Sequence, residues 1–353
     1  MIISPARLVL GAAAVAAACA PAASASSAVP ASTYATTAQA TVVAAAGGWT
    51  AWSEPSDGAF VLVVRAPDGT VSRPAIAPRG VPFDVDLGVD AAGRVVAAFS
   101  RCAREPQRNG GANATAPNYA TGARCRLRVL DLATGVERAL GKAGATTSEV
   151  LPSIAGAKVA FVAVRAHGKA ELRVRDRTSS RSVVLDRGTW RTGNAGVAGG
   201  PAGVDTDGTT AAVIWRYQDP EFHDFNAILD VAPVSGRRAS RQVAYGVNGE
   251  ECSYDSILAP TVSAGAVTFL ESTTGAWAAE RARAGARKGA TTYGPAVFGT
   301  TPEVLTTSAA LDGNRLVVAQ TATTPGHPDG ATTVAAYTAG GFGTARPPIS
   351  FCG

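Results

Sequence analysis

Histidine and methionine are scarce in this 353-residue chain, with three of the first and one of the second, and charged residues make up only 17% of it. So little histidine leaves scant material for an imidazole-rich metal centre. No Gly-x-Ser-x-Gly stretch occurs, so no serine stands in a recognisable hydrolase context. Lysine is confined to Lys142, Lys158, Lys169 and Lys288, and the formal net charge is +5. The densest basic cluster, Arg281, Arg283, Arg287 and Lys288, carries no interleaved aromatics. It reads as a solvated strand face, and nucleic acid is not expected as a partner. A hydrophobic content of 46% is ample for a packed core, and the low charge excludes a disordered polyelectrolyte. Past the N-terminal segment no apolar run is long enough to cross a membrane.

That N-terminal segment has its own logic. Arg7 precedes LVLGAAAVAAACA, an apolar run too short to span a bilayer, and small residues at Ala23 and Ala25 follow. Residues 1–25 therefore read as an export signal, with cleavage after Ala25. The alternative is processing at Cys19 as a lipidated cysteine, which would supply the protein's membrane contact. Residues 26–40, rich in Ser, Ala, Thr and Pro, read as a disordered leader or tether. The folded part, residues 41–353, is expected outside the cytoplasm, secreted or held at the cell surface through Cys19, and as a monomer.

The body of the chain repeats one phrase: apolar strand, tight turn, apolar strand. It occurs as VVAAAGGWTAWSE, LGVDAAGRVVAAFSR, PSIAGAKVAFVAVR, AGVDTDGTTAAVIWR, PTVSAGAVTFLES and SAALDGNRLVVAQT. The turn glycines are Gly48, Gly93, Gly156, Gly208, Gly265 and Gly313. Each phrase is followed by a second hairpin, with turns at Asp68-Gly69, Thr134-Gly135, Ser179-Ser180, Ser235-Gly236, Ala284-Gly285 and Gly340-Gly341. Two hairpins make a four-stranded meander. Six in succession predict an all-β fold, a six-bladed β-propeller of four-stranded antiparallel blades. Ring closure buries faces that a lone blade would leave wet. Trp49, Trp52, Trp215 and Trp277 fall on strands and are expected to pack between blades.

The unit LPSIAGAKVAFVAVRAHGKAELRVRDRTSS, and LGVDAAGRVVAAFSR with RLRVLDLATG, resemble the blades of TolB-type, WD40-like propellers. The "IAF"-like second strand and the D-x-x-x-G turn carry the likeness, while the family's SPDG turn is replaced by DAAG or IAGA. The resemblance implies an exported propeller serving as a binding scaffold, and no catalytic residue carries over.

In such a blade the first-to-second and third-to-fourth turns share one face, and the remaining connections share the other. Length is added only on that other face, at Arg101–Arg124, Tyr217–Phe225 and Thr321–Ala331. Long loops on a rigid scaffold are where binding is expected. The loop YQDPEFHDFN supplies candidates: Tyr217, Glu221, Phe222 and His223, for a protein, glycan or small-molecule ligand. Crossover acids give an alternative: Asp84, Glu149, Asp255 and Glu303, with Asp86 and Glu251 nearby, would bind Ca²⁺ at the channel mouth and support a metal-dependent hydrolase or lactonase. Asp205 and Asp207 read as turn residues of the opposite face. Setting Cys19 aside, the four remaining cysteines are expected to pair as Cys102–Cys125, closing the long loop, and Cys252–Cys352, locking the last unit.

Overall fold

The computed structural model describes residues 32–39, 41–108, 117–118, 122–141, 147–165, 169–179, 181–188, 200–218, 225–248, 256–273, 276–283, 291–298, 304–322 and 330–338. All regular structure among them is β. Strand β1 (Ser32–Thr37) comes first and is set aside for a moment. Blade 1 is β2 (Val43–Ala46), β3 (Trp49–Ser56), β4 (Ala59–Arg65) and β5 (Val71–Ser72). Blade 2 is β6 (Asp86–Val89) and β7 (Val95–Arg101), then β10 (Arg126–Asp131) and β11 (Glu137–Ala139). Between β7 and β10 a separate two-stranded ribbon intervenes, β8 (Gln107–Arg108) with β9 (Pro117–Asn118).

Blade 3 is β12 (Ser148–Ala155), β13 (Lys158–Val164), β14 (Ala170–Asp176) and β15 (Ser182–Gly188). Blade 4 is β16 (Gly200–Thr206), β17 (Thr210–Gln218), β18 (Phe225–Pro233) and β19 (Arg241–Asn248). Blade 5 is β20 (Ser256–Ser263), β21 (Ala266–Thr273), β22 (Ala276–Arg283) and β23 (Thr291–Phe298). Blade 6 is β24 (Val304–Asp312), β25 (Arg315–Ala322) and β26 (Thr332–Thr338), and its fourth place is taken by β1. The first strand of each blade packs on the first strand of the next, and β24 packs on β2, so the sheets close into a ring: a β-propeller.

Apolar packing follows the same ring. Ala44 and Leu62 of blade 1 meet Leu87, Phe99 and Leu130 of blade 2, and Val129 meets Phe161 between blades 2 and 3. Leu172 meets Val213 and Trp215, Leu229 meets Ile257 and Phe269, and Leu270 meets Val318. Trp52 and Val63 meet Val317 and Val334, completing the circuit. Trp52 and Trp215 are thus inter-blade residues, as expected, while Trp277 lies among side chains that are not described. All six turn glycines have positive φ, from +59° to +84°, a region that costs a residue with a Cβ about 1–2 kcal/mol.

Two expectations need correction. The stretch to Ala40 is not wholly an unstructured leader: Ser32–Thr37 pairs antiparallel with β26, from Ser32 opposite Ala336 to Thr37 opposite Thr332. Thr and Tyr suit a pleated surface, and the open edge of β26 supplies unpaired backbone groups that β1 satisfies. The slot beside β26 therefore belongs to the N-terminal strand, not to a strand following Gly340-Gly341. That second turn lies outside the described residues.

Candidate functional site

The inner strands line a central cavity of about 1360 Å³. At one level of it, equivalent positions stand opposite small residues of the second strand: Ala44 by Ala51, Asp86 by Ala98, Ser153 by Ala160, Asp205 by Ala212, Thr261 by Thr268 and Ser308 by Ala319. Four of these positions, Asp86, Ser153, Asp205 and Ser308, carry oxygens that clasp the following blade. Ile154 N–H donates to Asp86 at 3.3 Å and Thr206 N–H to Ser153 Oγ at 3.1 Å. Val262 N–H donates to Asp205, and Val43 N–H donates to Ser308 Oγ at 3.0 Å, across the ring closure. Ser153 also donates to Asp205 Oδ1 at 2.8 Å.

Burial dominates the titration of the two carboxyls. It pushes Asp205 up to about 6 and holds Asp86 well above its ordinary value, where the charge of Asp205 adds to the effect. At the far end of the cavity burial pushes the Arg216 guanidinium down to about 10. Asp205 is thus a channel residue, not a turn residue. Asp207 does sit in the turn, accepting from Thr209 and Thr210 N–H, and it also reaches Gly265 N–H of blade 5 at 3.0 Å.

In blades 3 to 6 a bulge in the first strand precedes the equivalent position. The β12–β13 register slips between Val150 and Ser153, and the β20–β21 register between Leu258 and Thr261. Leu151 and Ala259, each followed by proline, take φ of +51° and +52° there. Blades 4 and 6 slip at the matching points, between Pro201 and Gly203 and between Thr306 and Ser308.

The acids expected to hold a cation are placed differently. Asp84 is buried and accepts from Arg79 at 2.6 Å, Ser100 Oγ at 2.6 Å, Ser100 N–H at 2.9 Å and Leu151 N–H at 2.9 Å. Glu149 is paired with buried Arg175, which also donates to Leu140 C=O at 2.9 Å and lies over the Phe161 ring. Each carboxylate is neutralised by its own arginine, because a buried charge left alone is expensive. Asp255 and Glu303 lie outside the described residues, as does Glu251. Among the described residues no three His, Cys, Asp or Glu side chains are grouped to hold a metal ion.

Tyr217, one residue before the end of β17, is half-buried against the cluster shared by blades 3 and 4, against which Cys102 and Leu151 also pack. Glu221, Phe222 and His223 lie outside the described residues. So do His167, His327, Cys252 and Cys352. Cys102 and Cys125 form the expected disulfide, which closes the β7–β10 insertion at its base. Sequence reading also missed an inter-blade carboxyl pair. Asp186 of β15 accepts from Trp215 Nε1 at 2.7 Å and Ser240 Oγ at 2.6 Å, and burial plus the Asp186 charge push Asp230 up to about 7. Spacing along the chain gives no sign of it, because its members come from two blades.

No protein family matches the chain, and no curated protein does. Among solved structures it is similar to TolB from Acinetobacter baumannii, with 12% identity over 84% of this chain and 65% of that one, at a TM-score of 0.44. A puromycin-hydrolyzing peptidase of Mycobacterium tuberculosis shares 15% identity over 82% of this chain and 52% of its own, at 0.46. The SapL1 lectin, solved with alpha methyl fucoside, shares 11% identity over 85% and 96%, at 0.45. The chain thus spans less than two thirds of TolB and about half of the peptidase.

Proposed function

We propose that this chain is an exported propeller that works as a binding scaffold, engaging a protein, glycan or small-molecule ligand through its long-loop face. The observation that carries the reading is an asymmetry. On one face the connections are tight turns closed by their own aspartates: Asp68, Asp90, Asp131, Asp176 and Asp207 each accept an amide two residues on. On the other face blade 2 carries an insertion that spans 102–125, with its own ribbon and a disulfide at its base. Such an insertion on a rigid ring is where recognition residues are placed. The disulfide fits an oxidising compartment, in keeping with the export signal. The buried acids of the channel are engaged in clasping blades together, which favours a scaffold over a catalyst.

The test replaces residues 106–121 with a short Gly-Ser linker, leaving Cys102 and Cys125 in place. Wild-type and shortened proteins are compared on a panel of surface glycans and envelope fractions from the native host. Retention of wild type with loss by the shortened protein supports the reading. Equal retention, or loss only when the opposite turns are altered, overturns it.

A further inference from the structure

Blade 3 presents an excess of cations at its long-loop end. Strand alternation puts Lys169, Glu171 and Arg173 on one face of β14, and Arg187 of β15 stands directly opposite Glu171. Arg165 lies across from Lys169 at the end of the β13–β14 pair, its N–H bonded to Lys169 C=O. Glu171 receives Arg173 at 2.6 Å, Arg165 at 3.3 Å and Arg187 at 3.5 Å. One carboxylate thus faces three guanidiniums from adjacent strands, with about 4.8 Å between strands, and Lys169 stands two residues away, just ahead of β14. Two of the guanidiniums are mostly in solvent, with side-chain exposures of 51% for Arg165 and 70% for Arg187. Burial, which would raise the Glu171 carboxyl, is outweighed by the Arg173 hydrogen bonds and the surrounding positive charge, so it stays ionised.

The hairpin-turn end of the same blade also carries exposed arginines, Arg177 and Arg181, but they stand apart along the turn and, among the described residues, share no carboxylate in an ion pair. There Asp176 pairs with Lys158 at 2.6 Å, and in blade 6 Asp312 pairs with Arg315 at 2.9 Å. What sets the long-loop end apart is convergence, three guanidiniums meeting on the one carboxylate of Glu171. Guanidinium forks fit carboxylate, sulfate and phosphate oxygens two at a time. A base-bearing polyanion would need aromatic platforms for stacking. The exposed large apolar residues among those described are Val71, Val89, Val136, Val183 and Tyr245, and none lies in this cluster.

We propose that the long-loop end of blade 3 binds an acidic polysaccharide, whose anionic groups are held by Arg165, Lys169, Arg173 and Arg187 around Glu171. This rests on the scaffold reading and names the chemistry of its ligand. The probe is a fluorescent heparin oligosaccharide, titrated by anisotropy in 50 and 200 mM NaCl. Three phosphate-like contacts released by salt would weaken wild-type binding by roughly 20–40-fold over that range. The R165Q/R187Q double variant is expected to bind at least about tenfold more weakly, while R237Q/R238Q on the turn side matches wild type. Arg173 still serves Glu171 in the double variant, so no carboxylate is orphaned. Thermal melts verify folding, and R187Q alone provides a milder version. No heparin binding at 50 mM NaCl, an unchanged R165Q/R187Q, or equal competition by single-stranded DNA of the same charge overturns the proposal. Residues 106–121 lie outside the cluster. A failure on heparin by a protein whose panel ligand still depends on that loop therefore sinks this inference alone.

Discussion

Replacing Gly88 by alanine tests whether blades 2 and 3 are held by direct contact of their inner backbones. A Cβ at residue 88 would fall 1.9 Å from the Ile154 carbonyl oxygen, 2.9 Å from Ile154 Cγ2 and 3.0 Å from its carbonyl carbon. Carbon and oxygen in contact sit roughly 3.3 Å apart, so the two inner strands must part by more than an ångström. That movement strains Gly156 N–H to Val89 C=O, at 2.7 Å, and Ile154 N–H to Asp86, at 3.3 Å. Each such bond is worth about 1 kcal/mol net, and overpacking adds about 1–3 kcal/mol. The expected loss is about 3–5 kcal/mol, read as a lower urea midpoint at unchanged m. Gly93→Ala is the comparison. Its φ is +77° but its Cβ would meet nothing within 4 Å, so only the left-handed penalty of about 1–2 kcal/mol applies. If Gly88→Ala costs no more than Gly93→Ala, the close approach of the blades contributes little and the reasoning fails.

Three further outcomes follow from the buried polar groups and the disulfide. Because Asp205 is raised to about 6 in the native state against 3.8 when free, the folded protein binds more protons between those values, and stability falls as pH rises through that window. Asp205→Asn should lessen the fall between pH 4 and 7 by roughly 3 kcal/mol, measured by urea titrations at several pH values; an unaltered pH profile refutes the assignment. Arg79→Met strands the Asp84 carboxylate and should cost about 3–5 kcal/mol, whereas Arg79→Met with Asp84→Leu should recover part of it; a harmless single variant would mean the pair carries no burden. Cys102→Ser with Cys125→Ser opens a loop with a sequence separation of 23 and should lower stability by about 3 kcal/mol in thermal melts under oxidising conditions; an unchanged melt refutes a stabilising role for this bond.

The ring was legible because its signals are local. Glycine at positive φ and two-period alternation mark hairpins wherever they occur, and their regular return gives the architecture. Inward direction was not legible. Ser153 and Asp205 each stand only three residues before a turn glycine, Gly156 and Gly208, so they read as part of the turn, although the ladders run on past them to Ala155 opposite Lys158 and Thr206 opposite Ala211. Aligning the second strands instead, on Ala98, Ala160, Ala212 and Ala319, would have put Asp86, Ser153, Asp205 and Ser308 in register. Glu149 looked like a ligand because its partner Arg175 stands 26 residues on, and Asp84 because the chain alone does not show that Arg79, five residues before it, folds back onto its carboxylate. The segment Ser32–Thr37 was judged by composition, yet composition does not reveal that an open edge waits some three hundred residues away.

That edge has a kinetic meaning. Every other sheet joins strands that follow one another closely, so five blades are assembled from neighbours. The β1–β26 pairing joins Ser32 to Ala336, a loop of about 300 residues whose closure entropy no other ladder faces. Contacts of such separation slow folding, and on a ribosome the first strand must wait, unpaired, until the last blade emerges. During that interval a Thr-rich strand and the bare edge of β26 are both exposed to other copies of the chain, and a β1 from one molecule completing the ring of another would be a domain-swapped assembly built from entirely native contacts.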